Sequence, residues 1–499
     1  MAGKRCIIKN GRLLLLLSLA GVLALFLLFF LLLQPGAPMA MGETLKDAAA
    51  GRTNYSAVLR LDDEKQSLSI SQQVSYTNQT DAPLENIVVR LWLNAYETEE
   101  SSPAALEEIY DACYPNGFSS GFVSLYDVKW NGEQREYTYL DEERTALSIA
   151  IPALQPGETG ELFIRCVANI PDSAHRIGVT PSGYQLGNIL PTIAVRDETD
   201  WLIPEYAPIG DPFVSESANY DLTLYLPEGY APACSAPMKK GEDGAWRGEM
   251  LCARDIGLCA STNYWQASEK TGNTTVYSYG PSMDGARRAL RYAVKALEIF
   301  SSLYGEYPWP ALTICSADFP FGGMEYSGLC MIGENYYETG MEDSMELVIA
   351  HEVAHQWFYS LVGSDQFQHP WQDEAICEYA MLRYVQKRYG SGSFENLKYY
   401  RVDAPMQEVL PGTLTPGSPI DYFSGFQDYS AVVYGRGAAL LLALDELLPR
   451  GTDDFLRAYV QEYAFSYVTR AQFEAFLQQH TGMDLSPLLL DYLDTAFSS

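Results

Sequence analysis

The sequence predicts a multidomain chain in which helix and strand are segregated: a membrane-spanning N-terminal helix, an antiparallel β-sandwich, then a mixed α and β domain that ends in helices. Three observations predict it. An uncharged apolar run lies near the N-terminus, a long stretch of period-two alternation follows, and the pattern turns helical after Gly280.

The apolar run, Leu13 to Leu33, is 21 residues long, enough to span the hydrocarbon core as a helix. A signal peptide's apolar region is usually only about 7 to 15 residues, so a retained anchor is the reading, with cleavage after the PMA at 38–40 as its alternative. Lys4, Arg5, Lys9 and Arg12 precede the run, which keeps a tail of residues 1–12 in the cytoplasm and places everything after Leu33 outside. Residues 34–52 carry Pro, Gly and Ala without strong periodicity and read as a stalk.

From Tyr55 the pattern changes. YSAVLRLDDEKQSLSISQQVSYTN alternates apolar and polar residues on both sides of an acidic turn, as a half-buried hairpin does. Similar segments recur at ENIVVRLWLN, TALSIAIPAL, GELFIRCVANI, YDLTLYLPEG and TTVYSYG, so residues 53–270 are assigned to the sandwich. In the remainder, 271–499, MDGARRALRYAVKALEIFSSLYG has helical spacing and stops at a glycine. ALTICSAD then reads as a strand, and FGGMEYSGLCMIGE as a loop passing into another strand. From Ser344 onward nearly everything is helical in pattern.

The chain carries a formal charge of −31, which becomes −35 beyond the four basic residues of the tail. So acidic a surface argues against nucleic acid as a partner. Nine cysteines occur: Cys6 on the cytoplasmic side, then Cys113, Cys166, Cys234, Cys252, Cys259, Cys315, Cys330 and Cys377. None forms a C-x-x-C pair, so a cysteine zinc cluster is not expected, and spacing predicts no disulfide pairing.

The chemistry concentrates in HEVAHQW, from His351. Histidines at i and i+4 on a helix share one face, one turn apart, and can seat two positions of a tetrahedral zinc. Glu352, beside the first, can reach a water activated by the metal. A third protein ligand is needed. Glu374 in WQDEAICEY, at the start of the next helical pattern, is the candidate, with Asp373 and Glu378 as rivals; Glu378, one turn on, fits better as an acceptor that orients a histidine. His369, in a loop before a proline, reads as a surface residue.

HEVAHQW with Glu374 at that spacing, the upstream GGMEY and YGRGA at 434–438 together resemble the gluzincin aminopeptidases related to aminopeptidase N and leukotriene hydrolase. The resemblance runs across most of residues 53–499 and implies a thermolysin-like α+β peptidase domain over 271–499. It implies one zinc ion held by His351, His355 and Glu374, with Glu352 as general base. It makes Tyr434 the hydrogen-bond donor to the oxyanion, and it makes Glu325 the residue that binds the free α-amino group of a peptide substrate and so restricts cleavage to the first bond. Gly322, Gly323 and Met324 complete the expected substrate-binding loop, the two glycines letting substrate backbone lie against it as an added strand. Two departures stand out. Many members have asparagine where Tyr326 stands, and the chain ends about 60 residues after YGRGA, too short for the C-terminal helical domain that closes the cleft in longer relatives.

The function expected is thus a membrane-anchored zinc aminopeptidase acting on peptides outside the cell. A peptidase without strict exopeptidase specificity, a membrane-tethered binding or adhesion protein with a residual metal domain, and an epoxide hydrolase are the alternatives.

Overall fold

The computed structural model describes residues 41–197, 199–407 and 413–496. The expected anchor at 13–33 and the tail before it lie outside the described residues, among which no helix is long and apolar enough to cross a membrane. The chain divides into two units, residues 1–48 and 49–499. Part of the expected stalk is helical: α1, Met41–Ala49, is built from MGETLKDAA, whose Glu, Leu, Lys and Ala are strong helix formers.

The architecture is a β-sheet N-terminal part followed by a largely helical C-terminal part. β1 (Asn54–Asp62) and β2 (Ser67–Thr77) form the expected hairpin, and β1 alternates exposed and buried side chains along its length. They sit at the centre of an eight-stranded sheet, and two four-stranded sheets complete this part of the chain. One pairing differs from the antiparallel expectation: β1 runs parallel to Ala218–Tyr225, with Asn54 opposite Asn219. Alternation within a strand reports which face is buried and says nothing about the direction of a partner more than 150 residues away.

A five-stranded mixed sheet underlies the C-terminal part. Its order is Trp265–Thr271, Thr274–Gly280, Ala311–Ala317, Leu329–Gly333 and Gly323–Tyr326, the last being an antiparallel edge strand. The strand holding residue 270, the expected domain boundary, thus belongs to this five-stranded sheet. The segment expected to be a loop, FGGMEYSG, contributes its middle four residues to that edge strand and turns at Ser327 and at Gly328, whose φ of 71° suits glycine. The helix α2, Met283–Tyr304, is capped by Ser282 and stopped by Gly305 at φ 115°, and it packs on this sheet and on α3, Glu342–Ala354. α3 carries the HEVAH sequence to its C-terminus. Helical geometry is lost soon after, at Phe358 (φ −108°, ψ 38°). α4, Glu374–Tyr389, packs between α3 and α5, Gly437–Leu447. The α4–α5 approach is close: a Cβ on Gly437 would lie 2.4 Å from the Ala375 Cβ, so glycine is required for the segment before α5, which carries Tyr434, to reach the site. All eight described cysteines are buried free thiols.

Candidate metal centre and its cavity

α3 presents His351 and His355 one turn apart, and α4 opens with Glu374 against them. The Nε2 atoms of the two histidines lie 3.1 Å apart, and Glu374 Oε2 is 3.1 Å from His351 Nε2 and 3.4 Å from His355 Nε2. A zinc with bonds of ~2.0–2.1 Å would place tetrahedral ligands about 3.3–3.4 Å apart, so the three atoms form one face of such a tetrahedron. Two further groups of donors share His355: one with Asp373 and Cys377, one with Glu325 and Glu352. Each brings only one nitrogen. Asp373 and Cys377 do not line the cavity, so they offer no open position for a reactant.

The electrostatics also suit a cation. Burial opposes charge on His351, yet Glu374 and Glu378 lift its pKa to about 9. Burial likewise opposes ionisation of Glu374, but His351 and His355 hold its carboxyl well below the usual range. Both histidines are oriented from behind, as metal-binding imidazoles require. Asp373 Oδ1 accepts from His355 Nδ1 at 2.6 Å, and Gln366 fixes the other oxygen of Asp373. Glu378 Oε2 faces His351 Nδ1 at 3.4 Å, as expected of an orienting acceptor. Asp373, weighed as a ligand, instead orients His355.

The triad opens into a cavity of about 500 Å³. Glu352 lines it, and burial lifts its carboxyl pKa to about 7, suited to exchanging protons near neutrality. Tyr434 stacks on His351 with ring centroids 5.5 Å apart, and burial followed by the nearby Glu374 keeps its hydroxyl protonated far above 10, hence a donor. Glu325 faces the same cavity, 3 % exposed, with Oε1 making no hydrogen bond. A carboxyl oxygen of Glu325 lies within 4.8 Å of Glu352 and His355 donor atoms. Burial, offset in part by His355, raises its pKa well above the usual value.

The edge strand's alternation sorts the remaining expectations. Gly323 and Glu325 face the cavity, and Gly322 also lines it. Met324 does not: it is 2 % exposed and packs behind the wall, its Sδ accepting from Arg176 Nε at 3.2 Å. Period-two alternation thus keeps the Met324 side chain out of the cavity wall, where the sequence placed it in the substrate-binding loop. The space above Gly323 is filled by Glu352, whose Cδ lies 2.4 Å from where a Cβ would stand, so this glycine makes room for the Glu352 carboxyl. Tyr326 is also turned away and fully buried. Its hydroxyl would lie 1.7 Å from a Cβ on Gly187, and its ring 2.6 Å from one on Gly257, so the tyrosine fills space that two glycines leave. His369 is half-buried and does not line the cavity.

Sequence reasoning missed the cavity wall from the N-terminal part. Arg176 and Asp211 line it as a buried ion pair, Nη2 to Oδ1 at 2.6 Å. Tyr429 and Arg401, from the helical part, line it too. No local pattern marks any of these four; they are single residues whose neighbours are set by the fold.

Known proteins resemble this chain in sequence and in fold. Residues 288–492 match the peptidase family M1 domain. Aminopeptidase N of Lactobacillus helveticus is 24% identical over 404 residues, covering 74% of this chain and 46% of that protein. Leukotriene A-4 hydrolase of Xenopus laevis is 27% identical over 223 residues, covering 42% of this chain and 35% of that protein. The chain thus spans less than half the length of these curated relatives. The M1 zinc metallopeptidase of Deinococcus radiodurans superposes with a TM-score of 0.60 at 16% identity, covering 90% of this chain and 94% of that one, a likeness of fold. A two-domain M1 zinc metallopeptidase variant bound to L-arginine gives 0.61 at 17% identity, covering 89% and 94%.

Proposed function

Because residues 288–492 are a peptidase family M1 domain in a chain homologous to aminopeptidase N and leukotriene A-4 hydrolase, we propose that this protein is a zinc aminopeptidase that removes the N-terminal residue of peptides. The observation that carries the exopeptidase reading is Glu325: a buried carboxylate with an unpartnered oxygen, in the cavity beside Glu352 and His355. Burial among other acids disfavours the charge on this carboxyl until a cation arrives to match it, and a peptide's α-ammonium is one that comes with the substrate.

His351, His355 and Glu374 would hold the zinc, in a thermolysin-like domain. A zinc ion held there would supply Lewis acidity toward a water and a peptide carbonyl. Glu352 takes the proton of the attacking water and returns it to the leaving amine. Tyr434 donates its hydroxyl hydrogen to the carbonyl oxygen as negative charge develops there. Glu325 holds the α-ammonium and leaves no room for chain before the first residue, so the scissile bond is the first one. The small ligand in the two-domain fold relative, a free amino acid, accords with a site for a chain end.

The finer reading places this unit outside the cytoplasm, tethered by Leu13–Leu33 with the basic tail inside. Release of the protein from membranes by alkaline carbonate, without detergent, would refute the tether. The catalytic reading is tested with zinc-stripped and zinc-restored protein on an aminoacyl reporter and its N-acetylated form. Hydrolysis of the free reporter should vanish on stripping, return with zinc, and be absent in Glu352→Gln. Equal hydrolysis of the acetylated reporter would remove the role given to Glu325.

A further inference from the structure

We propose that Arg401 is a positioning residue for His351, acting through Glu378; the proposal rests on the zinc site described above. Glu378 is fully buried, and a buried carboxylate needs its oxygens matched. Arg401 matches both: Nε donates to Oε1 at 2.7 Å and Nη2 donates to Oε2 at 2.9 Å. That two-point clamp fixes the carboxylate plane as a single point charge cannot. The oxygen it fixes, Oε2, is the one 3.4 Å from His351 Nδ1, while Nε2 of the same ring stands at a corner of the ligand triangle.

The two histidines are not held alike. His355 has Asp373 at 2.6 Å, itself fixed by Gln366 within the core. His351 Nδ1 is buried and makes no close hydrogen bond among the described residues, so its ring angle depends on where Glu378 is held. Arg401 comes from the short π-helical segment Tyr399–Asp403, and its side chain is 42% exposed on the cavity wall. Its backbone oxygen lies 3.3 Å from a Cβ position on Gly435, next to Tyr434. One residue thus ties the orientation of a metal-binding histidine to the segment that carries the proposed oxyanion donor.

The test measures zinc affinity of the full chain by competition with a chromogenic chelator, for the parent, Arg401→Gln, Arg401→Lys, Glu378→Gln and the double variant R401Q/E378Q. Arg401→Gln and Glu378→Gln should each weaken zinc about 10- to 100-fold, with Arg401→Lys in between and the double variant no weaker than Glu378→Gln alone. Affinity of Arg401→Gln within twofold of the parent overturns the proposal. So does a KM increase confined to peptides with a free C-terminal carboxylate, absent for their amides, at unchanged zinc affinity; Arg401 then contacts substrate instead. Melting of the zinc-free proteins checks folding, and if Arg401→Gln does not fold, Arg401→Lys decides: parental affinity overturns, a loss of threefold or more at parental melting supports. A parent that binds no zinc refutes the metal site itself, a separate outcome.

Discussion

Replacing Gly323 by alanine should abolish most catalysis while leaving the fold intact. The added Cβ would stand 2.4 Å from both Cδ and Oε1 of Glu352 and 2.5 Å from its Cγ. Carbon atoms pack at roughly 3.5–4.0 Å, so the carboxylate must move by about 1 Å or more. A misplacement of that size in a reacting group costs about 100-fold in rate, or ~2.7 kcal/mol of transition-state stabilisation. Stability should change by less than about 1 kcal/mol, because replacing glycine removes freedom from the unfolded chain and the obstructing atoms are the free end of a flexible side chain. Neither Gly322 nor Gly323 has a left-handed backbone, so strain does not complicate the comparison. Gly322→Ala is the control, since its Cβ would meet Val348 Cγ2 at an ordinary 3.4 Å. Steady-state kinetics, zinc content and melting of the three proteins make the assay. Gly323→Ala with kcat within threefold of the parent would refute the placement of Glu352 as the reacting base. A loss of zinc or of folding would mean that the loss of activity arises elsewhere.

Three further outcomes follow from the same geometry. Tyr434→Phe should lower kcat about 10²- to 10³-fold with little change in KM, since its hydrogen bond belongs to the transition state; a rise in KM alone would contradict this. Arg254, 1 % exposed, donates to the backbone oxygens of Tyr359, Ser215, Leu361 and Ser466, pinning the chain just beyond the HEVAH helix. Arg254→Met should therefore lose about 3 kcal/mol or more by urea unfolding, as several buried carbonyls lose their donor; a midpoint unchanged from the parent would refute that role. Burial lifts Asp255 from 3.8 to about 6, against the lowering effect of its bonds from Tyr359 and Ser327. A folded-state pKa above the unfolded one means the folded protein binds the proton more tightly. The stability of the parent relative to Asp255→Asn should thus fall by about 1–3 kcal/mol as pH rises from 4 to 6. A rise over that window would contradict the burial argument.

Much of the site was legible because its chemistry is local in sequence. A helical i, i+4 histidine pair, a carboxylate opening the next helix and Glu378 one turn later are all statements about helical periodicity, and α3 and α4 obey it. The hairpin of β1 and β2 was legible for the same reason. What escaped depends on tertiary pairing. FGGMEYSG carries three glycines and no strong alternation, so it reads as a loop; its middle four residues become a strand because Leu329–Gly333 lies beside them to accept the ladder. Once it is a strand, period two turns Met324 and Tyr326 away from the cavity, which a loop reading could not anticipate. Arg176, Asp211 and Arg401 are isolated residues brought to the cavity from distant segments, and nothing in their neighbouring sequence distinguishes them from surface charges.

In the proposed function this cavity activates water at a metal and admits a peptide by its free end. The most direct measurement is a time course, by mass spectrometry, of the zinc-loaded protein acting on one decapeptide with a free N-terminus and on the same peptide acetylated. Stepwise shortening from the N-terminus of the free peptide, with the acetylated one intact, is the predicted result. Internal fragments from either peptide, or equal digestion of both, would contradict it.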